Sequence, residues 1–416
     1  MRGDGTKLGI TSNKPAALPP ARLLDVTRLI RRAGRRPTGV DRVELAYLTH
    51  LWTRPEPLFA IARTTLGYVL LGPEGVKGLL ARVTGETPWG GADTLSLLAR
   101  RKGTDVRRAE SDLRRLALAR CVPQGLRGML ERHLPLGVAY LNIGHSNLTG
   151  RMMHALREGP QARIAVFLHD TIPLDYPQFQ RDGTPEAFRA MLHRAASADL
   201  LIFNSEYSRN RTAAHMGRGM PPAIVAHLGL TPMRPDPARV PSDLPARRPY
   251  FVALGTIEPR KRIDLLLDVW QDMGRQAPGL LILGSRGWKN EAVFDRLDRL
   301  PSGGPIQERA DLSDAAIATL LQGSSGLLFP SEAEGFGLPL IEAASLGVPI
   351  LCRDLPVYRE FLRDIPVYLN ETDRYLWRNS IESLAKGRLR AERAVSRSEF
   401  IPLTWESHFE TVLSAT

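Results

Sequence analysis

The chain has 416 residues, too many for one ordinary hydrophobic core and suited to two domains of about 200 residues each. Hydrophobic residues make up 43% and charged residues 24%, which indicates a folded globular protein and argues against a disordered one. No stretch approaches the roughly 18 consecutive apolar residues of a membrane-spanning helix, so we expect no integral membrane protein.

The N-terminus and the cysteines bear on the cellular compartment. Residues 1–20 contain one early arginine and no apolar core of a secretory signal, and we expect a flexible arm there. Cys121 and Cys352 lie in unrelated contexts and cannot form a CxxC pair. A reduced, cytoplasmic protein is the simplest prediction.

The net charge of +12 predicts attraction to an anionic partner. Nucleic acid is disfavoured, because aromatic residues are only 6% of the chain and no basic run is interleaved with them. A peripheral contact with anionic lipid at the inner face of the membrane stays open, since charge alone suffices for it. A solvated arginine-rich surface without a partner is the alternative.

Taken in chain order, the first half predicts a loop leading into a helix around residue 43, where apolar residues take helical spacing. Residues 76–133 have a helical, arginine-rich pattern with a break near Pro123. Short apolar runs then predict strands at 138–141, 164–168 and 200–203, with a helix at 185–198 between the last two. The first two of these strands each end at a polar cluster.

A proline-rich stretch separates the two halves. Residues 231–249 carry six prolines and predict a linker over 233–249. Strands are then predicted at 250–254, 280–283, 326–329 and 348–352, with helices between them, such as 262–273 and 292–300. This alternation predicts an α/β protein with two Rossmann-like parallel-sheet domains, 21–232 and 250–400, facing a central cleft where ligands bind.

The segment 329–343 is the most informative motif, because its pattern is strand, glycine loop, helix. Gly335 and Gly337 allow close backbone approach, and a proline suits the first helical turn. The amides of 335–338 would face an anion, helped by the helix dipole. Glu334 and Glu342 flank this cradle, so the arrangement predicts a ligand that is anionic in the middle and hydroxylated at both ends, such as a nucleotide sugar. A structural turn with surface glutamates is the alternative.

This arrangement, with the second glutamate eight positions after the first, resembles the signature of retaining glycosyltransferases of the GT4 type, which have the GT-B fold. The resemblance is closest to bacterial mannosyltransferase-like members. It implies that Glu334 touches the donor sugar and that Glu342 holds the ribose. It also implies that backbone amides reach the sugar and phosphate from Gly335, Phe336, Gly337 and Leu338.

The loop 254–262 contains adjacent basic residues that would suit a diphosphate, because lysine offers a point charge and arginine a planar fork. A basic loop that merely opens a helix is the alternative. The loop resembles the family's phosphate loop, which implies donor contacts from Gly255, Thr256, Arg260 and Lys261. Many members place an arginine directly after the glycine, where this chain has Thr256, and Arg260 is the candidate replacement.

Three segments of the first half also resemble the family. His169 and Asp170 resemble a His-Asp segment in which the histidine lies beside the donor sugar and the aspartate shapes the reaction site; a local loop pair is the alternative. Residues 204–208 resemble a family segment too, although a helix cap by Ser205 explains them equally well. The loop 38–42 resembles the N-terminal glycine loop, which implies that Gly39 and Arg42 face the donor phosphate. The family often has two adjacent glycines here, where this chain has one.

The absence of an Asp-x-Asp sequence and of clustered His or Cys residues predicts metal-independent transfer without a cofactor. Arg260, Lys261 and the loop amides would take up the charge of the leaving diphosphate. The resemblance implies retention of configuration, with the donor phosphate assisting the acceptor hydroxyl. The last helix, within 401–416, is expected to return to the N-terminal domain, as in other GT-B chains.

We therefore expect a hexosyltransferase of polysaccharide biosynthesis, with a nucleotide sugar as donor, GDP-mannose favoured, and a glycan or lipid-linked acceptor. The acceptor would be bound by the N-terminal half, around residues 35–135. Two alternatives stay open. One is a GT-B sugar-nucleotide epimerase or phosphorylase, and the other is a non-catalytic protein that binds a nucleotide sugar or a polyanion.

Overall fold

The computed structural model of the protein describes residues 18–97, 102–245, 247–370, 373–387 and 400–416. Their strands form two sheets, and helices cover the faces of both. No helix in these ranges combines the length and the apolar character needed to cross a bilayer.

The first sheet has eight strands in the order β4-β3-β2-β1-β5-β6-β7-β8. These are β1 (Arg22–Asp25), β2 (Leu58–Thr64), β3 (Gly67–Leu71), β4 (Ala119–Cys121), β5 (Ala139–Asn142), β6 (Arg163–Leu168), β7 (Leu200–Phe203) and β8 (Ala223–Val225). The accompanying helices are α1 (Thr27–Arg31), α2 (Gly39–Trp52), α3 (Pro73–Val83), α4 (Thr94–Leu97), α5 (Thr104–Arg115), α6 (Leu126–His133), α7 (Gly150–Glu158), α8 (Ile172–Asp175), α9 (Thr184–Ala195) and α10 (Glu206–Met216).

The second sheet has six strands, all parallel, in the order β11-β10-β9-β12-β13-β14. These are β9 (Tyr250–Leu254), β10 (Gly279–Leu283), β11 (Ile306–Arg309), β12 (Leu327–Phe329), β13 (Ile350–Arg353) and β14 (Val367–Leu369). The helices are α11 (Ile263–Met273), α12 (Glu291–Asp298), α13 (Asp314–Gln322), α14 (Leu338–Ser345), α15 (Pro356–Leu362), α16 (Arg374–Ala385) and, at the end, α17 (Trp405–Ala415).

The predicted α/β architecture with two parallel-sheet halves is confirmed, with one correction. The first sheet is mixed, because β3 pairs antiparallel with both β2 and β4. The helical pattern predicted for 76–133, with a break near Pro123, did not include β4, a three-residue strand on the sheet edge just before that proline. Three residues are too few to give a readable strand period, so neighbouring helical patterns conceal it.

Each sheet has a topological switch point, and this predicts at which edge of the sheet a ligand binds. In the second sheet the strand order reverses between β9 and β12, which is the Rossmann order. In the first sheet β1 has β2 on one side and β5 on the other, so the direction of winding reverses there. Ligands of open α/β sheets bind beyond the carboxyl ends of such strands. The loops after β1, β5, β9 and β12 are therefore the places to examine.

Burial on both faces explains the continuous apolar runs of the central strands. In β1, Leu23 and Leu24 are both fully buried, although they point to opposite faces and belong to different clusters of the core. Such strands lack the polar alternation of a one-sided sheet. This is why the sequence pattern locates them well.

The C-terminal helix α17 packs on residues of the first half of the chain. The ring of Phe409 stacks on His50 of α2 with centroids 3.8 Å apart and meets Tyr47 edge-on at 4.9 Å. The Tyr47 hydroxyl is 2.9 Å from Nε2 of His408. The helix thus completes a core that begins about 360 residues earlier.

Phe409→Ala should lower the free energy of unfolding by about 3–5 kcal/mol, because it removes a fully buried aromatic ring. Urea denaturation of the full chain measures the loss. Tyr375→Ala is the matched control, since that side chain is 70% exposed. A loss no larger than that of the control would contradict the structural role of α17.

Candidate active site

The turn into α14 brings the two halves of the chain into contact. Gly337 caps the helix with φ of 98°, a left-handed conformation that favours glycine. A Cβ on Gly335 would lie 2.8 Å from Oδ2 of Asp170 and 2.9 Å from the carbonyl oxygen of His169. Only glycine fits this approach. The start of α14, where the first amides have no carbonyl partner within the helix itself, therefore faces the carboxyl end of β6.

Glu334 lies at the centre of a cluster of charges just before this turn. Its Oε1 accepts a hydrogen bond from Nζ of Lys261 at 2.5 Å, and its Oε2 lies 2.9 Å from Nη1 of Arg260. Arg260 also pairs with Glu258 at 2.6 Å and donates to the carbonyl oxygen of Ala333 at 2.8 Å. The two predicted basic residues thus meet the predicted glutamate directly.

The cluster fixes the charge of Glu334. Burial alone would raise the pKa of this carboxyl, but Arg260 and Lys261 outweigh it and lower the pKa to about 2. Burial lowers the pKa of Lys261, against the attraction of Glu334. For Arg260, the carboxylates outweigh burial and raise the pKa. Glu334 is therefore a carboxylate at neutral pH, which accepts hydrogen bonds and does not donate a proton.

Glu342 lies one turn inside α14 and is reached from the first half of the chain. Its Oε1 accepts a hydrogen bond from Nη1 of Arg42 at 2.7 Å, and Arg42 also lies 3.1 Å from Asp314. Burial raises the pKa of Glu342, and Arg42 opposes that shift. A Cβ on Gly39 would stand 3.6 Å from Cδ1 of Leu338. The starts of α2 and α14 therefore face each other across the cleft.

His169 and Asp170 lie at the carboxyl end of β6, where the sequence places them. His169 is buried, and its Nε2 lies 2.9 Å from the carbonyl oxygen of Ile143. Burial lowers its pKa to about 3, so the ring is neutral at physiological pH. Burial raises the pKa of Asp170 to about 6, although Arg260 acts against the shift. Asp170 Oδ1 accepts a hydrogen bond from the amide of Ile172 at 3.0 Å.

The segment 204–208 contains a helix cap, and it also lies near the cleft. Ser205 Oγ accepts a hydrogen bond from the amide of Ser208 at 3.0 Å, which confirms the helix cap. Ser208 Oγ lies 3.2 Å from the carbonyl oxygen of His169 and 3.3 Å from that of Gly335. This hydroxyl therefore ties the first half of the chain to the loop before α14.

In the loop after β9, which resembles a phosphate loop, some of the predicted residues lie near the charged cluster and others do not. A Cβ on Gly255 would lie 3.3 Å from Nζ of Lys261, so the glycine lies beside the charged cluster. Thr256 instead packs its methyl group near Gly287. Arg260 is the arginine of this loop that contacts Glu334. That it replaces the arginine which many family members have at the position of Thr256 stays a prediction.

A pocket lined by both halves of the chain lies beside Glu334 and Asp170. Tyr176, Tyr207 and Arg211 lie along its wall. Within the described ranges, no group of three or more His, Cys, Asp or Glu side chains is arranged to hold a metal ion.

Three contributors to the site were not predicted from the sequence: Glu258, Asp314 and His145. Glu258 stands in the recognised loop, but its pairing with Arg260 needs the turn 259–261 to be known. Asp314 opens a helix far from Arg42 in the chain. His145 follows β5 within a polar cluster at a strand end, and that position was the available signal.

Comparisons with known proteins identify the family and the fold of the chain. The family model described as family 4 glycosyltransferase in conflict systems matches residues 91–385. Among solved structures, HepE from Anabaena in complex with UDP-glucose superposes with a TM-score of 0.64 at 13% identity, covering 95% of this chain and 99% of that one. That likeness supports the GT-B fold.

Several curated relatives are bacterial mannosyltransferases, and others are D-inositol 3-phosphate glycosyltransferases. The serotype-specific mannosyltransferase WbdA of Escherichia coli is 31% identical over 267 residues, which are 59% of this chain and 32% of WbdA. The O-antigen chain mannosyltransferase B of Escherichia coli is 26% identical over 224 residues, which are 51% of this chain and 58% of that protein. The chain thus spans about a third of the length of WbdA and somewhat over half of the second relative.

Asp170→Asn should stabilise the protein at pH 7.5 by on the order of 1–3 kcal/mol. The folded pKa of about 6 lies above the ordinary value of 3.8, so the native state carries an unfavourable ionised carboxyl above pH 6. The advantage of the amide should fade as the pH falls from 6 towards 4, because the folded carboxyl is then protonated and the pH approaches the ordinary pKa of 3.8 of the unfolded state. Chemical denaturation at several pH values measures this.

The exposed Asp295→Asn serves as the control for the loss of one negative charge. A stabilisation by Asp170→Asn that does not change between pH 7.5 and pH 4 would contradict the raised pKa of Asp170.

Proposed function

Since the chain belongs to the family 4 glycosyltransferases of conflict systems, we propose that it is a retaining glycosyltransferase that transfers a hexose from a nucleoside-diphosphate sugar. Mannose is the favoured hexose, and a glycan or a lipid-linked saccharide is the acceptor. The observation that carries the proposal is the largely buried cluster of Glu334, Arg260 and Lys261 at the start of α14.

The cluster suits the charge that develops on the leaving diphosphate. The bond between the anomeric carbon and the diphosphate oxygen breaks, a bond to the acceptor oxygen forms, and the acceptor proton passes to the phosphate. Fixed cations and backbone amides stabilise such charge because they need no reorganisation during the reaction. Arg260, Lys261 and the amides of 335–338 supply both, so we propose transfer without a divalent metal.

Glu334 has two roles in this proposal. Its low pKa keeps it ionised, so it accepts a hydrogen bond from a hydroxyl of the donor hexose. Its pairing with Lys261 and Arg260 also fixes both cations beneath the diphosphate. Charge-assisted hydrogen bonds of this type are about twice as strong as neutral ones.

Glu342 is assigned to the ribose of the donor. Arg42 holds its Oε1, so Oε2 is the oxygen that would accept from a ribose hydroxyl. In this arrangement Arg42 orients the carboxylate and brings positive charge close to the donor phosphates, in line with the role proposed for the loop at Gly39.

The donor is proposed to be GDP-mannose, and the reaction to belong to polysaccharide biosynthesis. The His169-Asp170 segment supports mannose, and so do the names of the two Escherichia coli relatives, one of which acts on O-antigen chains. His169 and Asp170 lie against Gly335, so a hexose bound by the amides of the α14 turn would lie beside them.

Lys261→Ala should weaken GDP binding by at least about tenfold, because it removes a charge-assisted hydrogen bond to the diphosphate. Isothermal titration calorimetry with GDP, UDP, ADP and CMP, with and without EDTA, measures the affinity and its dependence on metal. Lys77→Ala, on an exposed position of α3, is the matched control.

The outcomes separate the competing functions. Binding of one nucleoside diphosphate that survives EDTA and is lost in Lys261→Ala supports the transferase. Affinity unchanged in Lys261→Ala contradicts the assigned site. Binding of GDP-mannose without turnover on any acceptor or water would favour a non-catalytic protein, and turnover that requires free phosphate would favour a phosphorylase.

We also propose a peripheral contact with anionic membrane through the edge strand β4. Arg120 in β4 and the residues that flank the strand, Leu118 and Val122, are all exposed, with Leu118 at 49% and Val122 at 61%. Residues at this spacing share one face of a strand. Apolar side chains beside an arginine, on a chain of net charge +12, suit the surface of an anionic bilayer.

Sedimentation with vesicles that contain phosphatidylglycerol should bring down the protein at low salt, and less of it at about 0.15 M salt, where charges are screened. The double variant Leu118→Glu with Val122→Glu should reduce the bound fraction, whereas the same changes should leave GDP affinity unaltered. No binding at either salt concentration would contradict the contact.

A further inference from the structure

Two histidines at the carboxyl edge of the first sheet each form a hydrogen bond with the backbone of the neighbouring strand or of the loop that follows it. His145 follows β5, and its Nε2 lies 2.6 Å from the carbonyl oxygen of Phe167 in β6. His169 follows β6, and its Nε2 lies 2.9 Å from the carbonyl oxygen of Ile143 after β5. The ring centroids are 5.4 Å apart. The ring that follows β5 is therefore hydrogen-bonded to β6, and the ring that follows β6 is hydrogen-bonded to the end of β5.

These anchors settle the tautomers. A carbonyl oxygen only accepts hydrogen bonds, so Nε2 must carry the proton in both rings. Burial lowers the pKa of His145 to about 4 and that of His169 to about 3, which keeps the rings neutral at pH 7. Nδ1 of each ring is then an acceptor, and it has no hydrogen-bond partner among the described residues. Neither Nδ1 belongs to the fully buried polar atoms that lack a partner, so each keeps some exposed surface.

The turn that carries His145 is strained and well supported. His145 and Asn147 have φ of 56° and 67°, a left-handed region that costs free energy for residues other than glycine. Asn147 donates to Asp25 at 2.7 Å, and Asn142 donates to the carbonyl oxygen of Ser146 at 3.1 Å. A buried network thus holds a conformation that the chain would not adopt by itself, and such strain is typical of functional positions.

The location matches a ligand site. The loop after β5 lies at the switch point of the first sheet, and His169 touches the loop of Gly335 through its carbonyl oxygen. Two neutral acceptors suit hydroxyl groups, which donate. They suit a diphosphate poorly, because its oxygens present lone pairs and no proton at neutral pH.

We propose that His145 is a second recognition residue for the transferred hexose, which accepts a hydrogen bond from a sugar hydroxyl through Nδ1 beside His169. This inference rests on the proposed function and deepens it, because it assigns the hexose, as opposed to the nucleotide, to this pair. His145 holds the sugar and takes no part in bond breaking.

The test compares two ligands that differ only in the hexose, GDP and GDP-mannose, in calorimetric titrations of the full chain. His145→Gln retains an amide N–H that can reach the Phe167 carbonyl oxygen but lacks an acceptor at the Nδ1 position. His145→Asn retains an acceptor near Nδ1 and tolerates a left-handed backbone. His154→Gln, an exposed position of α7, is the matched control.

His145→Gln should weaken GDP-mannose binding by about 3- to 10-fold, the range of one neutral hydrogen bond, and leave GDP binding unchanged. His145→Asn should lose less. Equal weakening of both ligands, or no weakening of either, would overturn the assignment. Weaker acceptor binding with unchanged GDP-mannose affinity would overturn it too. If the wild type binds neither these ligands nor the pair UDP and UDP-glucose, the proposed function itself fails.

A measurement on the wild type keeps the inference testable if a variant misfolds. Nitrogen NMR of the protein with labelled histidine should show a shift of the His145 Nδ1 resonance when GDP-mannose binds and none when GDP binds. The same response to both ligands would contradict contact with the hexose.

Discussion

The ion-pair cluster of Glu334 with Arg260 and Lys261 is the interaction on which the site depends. It joins the loop after β9 to the loop after β12, the two strands between which the order of the second sheet reverses. A backbone hydrogen bond from the amide of Glu332 to the carbonyl oxygen of Arg260, at 2.7 Å, joins the same two loops. A buried carboxylate needs such partners, because ionised groups without them are costly to bury. The cluster therefore positions two cations and one acceptor at the start of α14 as a unit.

The two halves of the chain meet this cluster through close contacts. Gly335 lies against Asp170, Gly39 lies near Leu338, and Arg42 reaches Glu342. The first contact leaves room for little more than backbone, and the third fixes the second glutamate. The cleft thus combines a cationic and amide-rich side, contributed mainly by the second sheet, with neutral imidazoles contributed by the first. That division matches a ligand with a charged diphosphate and an uncharged sugar.

Much of this architecture could be predicted from the sequence, because strands buried on both faces give continuous apolar runs and the glycine turn before α14 has a specific spacing. Strand β4 could not, since it is three residues long and its pairing with β3 is nonlocal. The sequence motifs identify most of the candidate residues one by one, but they do not show which residues contact each other. The pairing of Lys261 with Glu334 spans 73 residues, and the crossing of His145 to Phe167 depends on two strands being neighbours.

A crystal structure of the protein with GDP-mannose would test the central claim most directly. The account predicts the diphosphate against the amides of 335–338, within hydrogen-bonding distance of Lys261 or Arg260, with the ribose on Glu342 and the hexose between Glu334 and His169. A nucleotide bound elsewhere, or a diphosphate that contacts neither basic residue, would contradict it.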